Sequence, residues 1–353
     1  MKFAGLLTRR FFLILHGIVV IFFFLACLAS YINPAHCWPL AFLGLAFPFF
    51  VVLLIVFILF WLIIDAKWIL LSIIPLLIGW KSLSVLIAWH LPQSSRSVPV
   101  NNLRILSYNV HYFRPYNDKP DKNNEVRDEM LSLIQQQHPD IACFQEFFTS
   151  ENPKRFDFKS YISTQLNLPY RYFSSDYNYA NNHSGVILFS RYPVIHAEKI
   201  KLQGISHSES AVFADILKDG DTLRIFTMHL QSIYLTRKDL ADIEKLKRPE
   251  DSALITSRTV IGKLKRAFIE RGLQTQKIAG VIRQSPYPVI VCGDFNDTPN
   301  SFSYYTVRGN LQDAFLKKGS GLGATYNSLS PTLLIDYIFL NNQSKVNNFY
   351  CIH

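Results

Sequence analysis

Gly293-Asp294-Phe295-Asn296 closes the apolar run Pro288-Val289-Ile290-Val291-Cys292 with an acid and an amide two residues apart. Alternation along a strand sends Asp294 and Asn296 to one side and turns Phe295 into the core, so both polar groups can reach one phosphate at the strand's mouth. The glycine before them lets another backbone approach closely. This arrangement points to metal-assisted chemistry on a phosphoester. Other apolar runs end in the same way: Asn109 closes Ile105-Leu106-Ser107-Tyr108, Glu146 follows Ile141-Ala142-Cys143-Phe144-Gln145, His229 closes Phe226-Thr227-Met228, and Asp336 interrupts Leu333-Leu334-Ile335 and Tyr337-Ile338-Phe339. Taken singly, each has an ordinary structural explanation as a turn cap, a surface ion pair or a satisfied rim histidine. Their order and spacing carry the argument.

The elements that must position these residues are strands. Strand-like runs lie at 103–109, 141–145, 185–189, 211–217, 222–230, 288–292 and 334–340, and helical patterns lie between some of them, notably at 125–137 and 263–283. Strands interspersed with helices predict an α/β domain with covered sheets. The stretch 233–271 is longer and more charged than the other connections and includes the basic cluster Lys263, Lys265 and Arg266; it reads either as a substrate-facing cap or as a solvated helical pair.

The first hundred residues are a different material. Runs at 11–30, 40–64 and 68–89 each match the roughly 20 apolar residues that cross a bilayer, and they carry almost no charge. The domains expected are therefore a membrane anchor of three transmembrane helices over 1–90, a Pro- and Ser-rich linker over 91–102, and a soluble domain over 103–353. Lys2, Arg9 and Arg10 precede the first run, the loop 31–39 has no Lys or Arg, and Asp65 and Lys67 form the next short turn. That bias predicts a cytoplasmic N-terminus, which after three spans places the soluble domain outside the cytoplasm of a multi-pass membrane protein. Lys81, inside the third run, is expected to snorkel to the outer surface beside Trp80.

Of the 36 Lys and Arg only six precede Asn101, and of the 26 Asp and Glu only Asp65 does, which leaves the rest of the chain about five positive charges in excess. Such a surface eases the approach of an anionic substrate, nucleic acid or lipid headgroup, without choosing between them. The five cysteines include no CxxC pair and their number is odd, so neither a disulfide framework nor a zinc site is expected; Cys143 and Cys292 read as buried core residues.

The sequence of motifs Ser107-Tyr108-Asn109-Val110, Phe144-Gln145-Glu146, Ser190-Arg191-Tyr192-Pro193, His229-Leu230-Gln231-Ser232, Gly293-Asp294-Phe295-Asn296 and Ile335-Asp336-Tyr337-Ile338 resembles the endonuclease/exonuclease/phosphatase superfamily over essentially all of 103–340. The fold expected is three N-terminal transmembrane helices, read from the apolar runs, followed by a two-sheet α/β sandwich flanked by helices. The resemblance implies that Glu146 holds a divalent ion, Mg²⁺ or alternatively Mn²⁺, with Asn109 orienting the ion or the phosphate. Asp294 and Asn296 would orient the attacking water and bind phosphate, His229 would protonate the leaving oxygen, and Arg191 would be a phosphate contact or a structural turn residue. Asp176 is a positional candidate for steadying His229. The partners implied are a lipid bilayer and a phosphoester substrate, either nucleic acid or a phospholipid headgroup; no protein partner can be inferred.

One departure stands out. In the family the residue matching Asp336 orients a second histidine in a closing Ser-Asp-His motif, and this sequence has no Ser-Asp-His; it ends in Cys351-Ile352-His353. The expectation is a membrane-anchored Mg²⁺-dependent phosphoesterase acting outside the cytoplasm, with a shortened or impaired site. The alternative is a phosphate-binding or scaffold protein of the same fold.

Overall fold

The computed structural model describes residues 2–91, 102–114, 123–152, 156–202, 210–233, 253–326 and 333–352. Most of the expected linker, residues 234–252 of the charged stretch and His353 lie outside these. The chain divides into two compact units: residues 1–87, 235–272 and 297–306 form one, and 88–234, 273–296 and 307–353 form the other.

In the second unit, strand β3 (Ile141–Ser150) is buried on both faces, which is why it reads as a continuous apolar run. Ala142 and Phe144 face one way, Ile141 and Cys143 the other. It pairs in parallel with β2 (Ile105–Asn109) and antiparallel with β6 (Asn182–Ser190), and β4 (Tyr170–Phe173) and β5 (Tyr177–Tyr179) both pair with β6 to complete a five-stranded sheet. The second sheet has six strands, in the order β11 (Gln312–Asp313), β13 (Asp336–Leu340), β10 (Val289–Asp294), β9 (Asp221–His229), β8 (Ala211–Lys218) and β7 (Val194–Ile200). Only the β10–β9 pair in it is parallel.

Ile141, Cys143 and Leu188 of the first sheet meet Ala214, Ile216, Ile225, Ile290 and Cys292 of the second in one core cluster. On the other face of the five-stranded sheet, Phe144, Phe147 and Phe189 pack with Leu131 and Ile134 of helix 123–136 and with Phe158 and Ile162 of helix 158–165. Asp157 caps that second helix by accepting from the Ser160 N–H at 3.1 Å.

The expected pair of sheets is joined by a third, in which β1 (Ala88–Trp89) lies antiparallel to β12 (Ser320–Gly321). Two-residue strands carry no period that a sequence pattern could register. Cys143 and Cys292 are buried as expected, and all five cysteines are free.

The first unit contains α1 (Lys2–Leu28), α2 (Trp38–Leu45), α3 (Phe47–Ile64), α4 (Leu70–Ile78) and α5 (Trp80–Leu83). Among the described residues two helices, Thr8–Leu28 and Phe47–Ile64, are long and apolar enough to cross a membrane, rather than the three expected. The third apolar run is divided between α4 and α5: Pro75 lies inside α4, where it removes a backbone donor, and Gly79 separates the two helices. Val19, Phe23, Phe47, Leu54 and Trp61 build the core of the bundle. Within it the buried His16 accepts a hydrogen bond from Trp61 Nε1 on Nδ1 at 3.0 Å, lies 2.8 Å from Ser72 Oγ through Nε2, and stacks on Phe57. At one end Arg9 pairs with Asp65, and Lys67 lies 3.5 Å from the same carboxylate.

Candidate active site

A bulge in β3 sets up the site. Pairing with β6 slips between Phe144 and Phe147, and Glu146, inside the slip, takes φ 49°, a left-handed conformation uncommon outside glycine. The irregularity separates two neighbouring polar side chains. Gln145 points into the interior, donating through Nε2 to Thr227 Oγ1 at 3.0 Å, while Glu146 is turned toward the ends of β2, β9 and β10.

There Asn109 joins two carboxylates. Its Nδ2 donates to Glu146 Oε1 at 3.2 Å and to Asp294 Oδ2 at 3.0 Å, and its Oδ1 accepts the His111 N–H at 3.1 Å. His111 Nδ1 lies 3.0 Å from Glu146 Oε2. His229 Nε2 stands 3.7 Å from Glu146 Oε1 and 3.9 Å from Asp294 Oδ2, distances of charge contact rather than hydrogen bonding. The register explains the convergence: His229 and Asp294 are direct partners where β9 runs parallel to β10, and Asp336 lies opposite Asp294 in the antiparallel β10–β13 pair.

The strand carrying Asp294 sits unusually close to its neighbour. Gly293 has φ +137°, and a Cβ placed on it would lie 2.1 Å from Met228 O, so only glycine fits. Phe295 is buried against Tyr337 and Phe339, with ring centroids 5.0 and 5.6 Å away. Asn296, at φ 50°, donates its N–H to Asp294 Oδ1 at 2.7 Å and its Nδ2 to Leu230 O at 3.0 Å. The turn fixes both oxygens of Asp294, one to Asn296 and one to Asn109.

The electrostatics follow from burial and these partners. Burial pushes the Glu146 carboxyl up, but the hydrogen bond from His111, the charges of His229 and His111 and the hydrogen bond from Asn109 outweigh it, and Glu146 lies below its ordinary value. Asp294 goes the other way: burial raises it and the Glu146 charge adds to the rise, against the His229 charge and the hydrogen bonds from Asn109 and Asn296. Asp336 is held well above the carboxylate range by burial and then by the charge of Asp294, with a Thr325 hydrogen bond as the opposing influence. Two adjacent strands thus carry neighbouring acids that resist ionising together.

Asn109, Glu146, His229 and Asp294 are therefore brought together, with Asn296 and Asp336 beside Asp294. Arg191 is not brought there. Its Nη1 pairs with Asp140 Oδ1 at 2.7 Å, and Ser190, just before it, is opposite Ile141, five residues from Glu146 and so about 17 Å along the strand. Asp176 accepts from the Ser174 and Ser210 hydroxyls and pairs with Lys199, not with His229. Among the described residues no histidine pairs with Asp336. His111 was not singled out in the sequence; the one signal for it is a third polar side chain two residues beyond Asn109, past the end of the strand.

A profile of the endonuclease/exonuclease/phosphatase family matches residues 106–352, a span that contains every one of these positions. The chain belongs to that family. Members of the endonuclease/exonuclease/phosphatase family are hydrolases of phosphoesters, and its enzymes generally depend on divalent metals. Residues 9–86 match a second profile, described as a domain of unknown function (DUF8431). No curated protein matches the chain.

Among solved structures, an endonuclease/exonuclease/phosphatase from Beutenbergia cavernae is 16% identical, with 68% of this chain and 64% of that one covered at a TM-score of 0.44. A family protein from Leptotrichia buccalis is 18% identical, with 69% and 88% covered at 0.44. Sphingomyelinase C from Streptomyces griseocarneus is 16% identical, with 68% and 84% covered at 0.44. The chain spans less than two thirds of the length of the Beutenbergia protein.

Proposed function

We propose that this chain is a divalent-metal-dependent phosphoesterase held on a membrane by its N-terminal helices. The observation that carries the reading is the convergence at the ends of three strands, where Asn109 and His229 each lie within 3.0–3.9 Å of both Glu146 and Asp294.

Among the described residues no three His, Cys, Asp or Glu side chains form a cage for a metal ion. Mg²⁺, which keeps several waters and takes one or two carboxylates, does not need one. The donors at the site are oxygens, and the carboxyls of Glu146, Asp294 and Asp336 crowd there, with burial and the Glu146 charge raising Asp294 and burial and the Asp294 charge raising Asp336; a hard cation fits that set. Glu146 and Asn109 would hold it, with Asp294 beside them. When bound, the ion would polarise a phosphoryl oxygen and offset the charge that builds during transfer.

The chain's own groups supply the rest. Asp294, with both oxygens already fixed, orients the attacking water, and Asn296 beside it contacts the phosphate. His229 gives a proton to the leaving oxygen through Nε2, the atom that faces the two carboxylates. The substrate class is a phosphodiester or phosphomonoester, from nucleic acid or a lipid headgroup. With the cationic end of the anchor around Arg9 and Lys67 assigned to the cytoplasmic side, and the third apolar run recrossing as the two short helices α4 and α5, the catalytic unit would lie outside.

The test is hydrolysis of bis(p-nitrophenyl) phosphate and of p-nitrophenyl phosphate by the full chain in detergent. Turnover is expected with Mg²⁺ or Mn²⁺, to be abolished by EDTA and to fall at least about 100-fold in Glu146→Gln. Undiminished turnover in EDTA, or in the variant, would overturn the reading. A second reading, a phosphate-binding protein with little turnover, is favoured by one observation: Asp336 bonds Thr325 and has no histidine partner among the described residues. It would be supported by metal-dependent binding of a non-hydrolysable phosphorothioate diester without product.

A further inference from the structure

The basic stretch of the long helix α6 (Ala253–Arg283) has no part in the phosphoesterase site, and its neighbours belong to the helical bundle. Lys265 Nζ lies 5.0 Å from the Trp38 ring centroid, Phe268 packs edge-on against Phe42 at 5.2 Å, and Gly272 O accepts from Asn33 Nδ2 at 3.3 Å. The turn 265–272 therefore rests on the connection between the first and second long apolar helices.

That connection marks a definite depth. The run Thr8–Leu28 has 21 residues, about 31 Å of helix, and so fills a hydrocarbon core of about 30 Å. The charges at its other end are the Arg9–Asp65–Lys67 group. Residues 29–46 accordingly come at the opposite boundary, and they contain no Asp, Glu, Lys or Arg. Aromatic side chains gather there: Tyr31 is exposed, Trp38 is half-buried, and Lys81 sits between the rings of Tyr31 and Tyr305, 4.3 and 4.8 Å from their centroids. Tyrosine and tryptophan at a span's end mark the headgroup layer.

Lys265 and Arg266 are exposed, and among the described residues neither meets a carboxylate; Glu270, one turn on, pairs with neither. A cation over an aromatic ring keeps its N–H donors for a further acceptor. Among the described residues, the three cations Lys81, Lys265 and Arg266 thus meet no acid at the level where a bilayer presents phosphates.

We propose that Lys265 and Arg266, with Lys81 in its tyrosine bracket, form a docking surface for the headgroups of anionic phospholipids at the outer end of the helical anchor. The inference rests on the reading of the N-terminal helices as a membrane anchor, and it is independent of catalysis. Its chemistry is charge complementarity: lipid phosphate accepts from Lys and Arg donors while the rings of Trp38, Tyr31 and Tyr305 fill the interface.

The experiment uses the full chain in nanodiscs of phosphatidylcholine with and without 30% phosphatidylglycerol, and counts retained lipids by native mass spectrometry. Wild type is expected to retain phosphatidylglycerol in preference, at roughly fivefold per cation, and Lys265→Gln/Arg266→Gln is expected to lose that factor for each charge removed. Raising the salt to about 0.5 M should erase much of the preference in wild type, a readout that needs no variant. Equal retention by both proteins at low salt, or a preference indifferent to salt, would overturn the proposal. So would capture of a single-stranded oligonucleotide that the double variant abolishes without any lipid preference, since the surface would then serve a nucleic acid. Carbonate washing of native membranes separates the two premises: a chain that washes off refutes the anchor and this surface with it, whereas a chain that stays but shows no headgroup preference refutes the surface alone.

Discussion

Replacing Gly293 by Ala tests the claim that the close approach of β10 to β9 builds the site. The added Cβ would meet Met228 O at 2.1 Å, Met228 N at 2.8 Å and Met228 C at 3.0 Å, all backbone atoms of a central strand that cannot swing aside. Relieving the clash needs a shift of about 1 Å, and overpacking of that kind costs about 1–3 kcal/mol. Holding an L-residue at φ +137° adds about 1–3 kcal/mol. The sum, about 2–6 kcal/mol, is a large share of a typical 5–15 kcal/mol stability. Met228 precedes His229, so the same shift moves His229 away from its register partner Asp294. Gly309→Ala is the control: its φ is +49° but no atom lies within 4 Å of its Cβ, so only about 1 kcal/mol of backbone strain is expected. Thermal unfolding of the full chain in detergent, together with diesterase turnover, reads both effects. Gly293→Ala melting within about 1 kcal/mol of the control, with turnover within twofold of wild type, would refute the reasoning.

Three further outcomes follow from the same geometry. His111→Ala removes the 3.0 Å partner of Glu146 Oε2, and turnover and metal affinity should each fall about 10–100-fold, measured by metal titration of the diesterase rate. Asp215, buried and bonded to Arg224 at 2.6 and 2.7 Å, holds a cation that lies over Phe213; Asp215→Asn should cost about 3–5 kcal/mol in thermal unfolding by stranding the guanidinium. Asp336 is raised in the folded state, so its contribution to stability is favourable below the unfolded value near 3.9 and is lost as pH rises through the folded value. Asp336→Asn in EDTA should therefore stabilise the chain at pH 7, with the gain vanishing below about pH 4; a gain that persists at low pH would show that titration is not its source.

The strands that matter most were legible because they are buried on both faces. Residues 141–144, 211–217 and 288–292 are dominated by apolar residues, interrupted in the second run only by Asp215, and they became β3, β8 and β10 with boundaries shifted by a few residues. The half-exposed β7 and the short β4, β5, β11 and β12 lack such runs and left no comparable signal. The candidate residues at strand ends were legible for a related reason, since a polar residue closing an apolar strand is conspicuous. His111 lies past the end of its strand in a turn of left-handed residues, where no period applies. Arg191 shows the opposite failure: its motif is visible, but the antiparallel pairing of β6 with β3 carries it to the far end of the sheet.

The third apolar run teaches the same lesson about length and continuity. Composition over 68–89 is that of a span, yet one proline and one glycine leave helices of nine and four residues, and the hydrogen-bonded length a bilayer requires is not reached in one piece. What those short helices do instead is local. α5 delivers Lys81 between Tyr31 and Tyr305, and Tyr305 OH donates to Lys81 O at 2.7 Å, so a charge that composition alone would place inside a membrane is held among aromatic rings at the end of the bundle. The break in the helix and the position of the charge explain each other: an unbroken span would have carried Lys81 into the hydrocarbon, where an unpaired cation is costly.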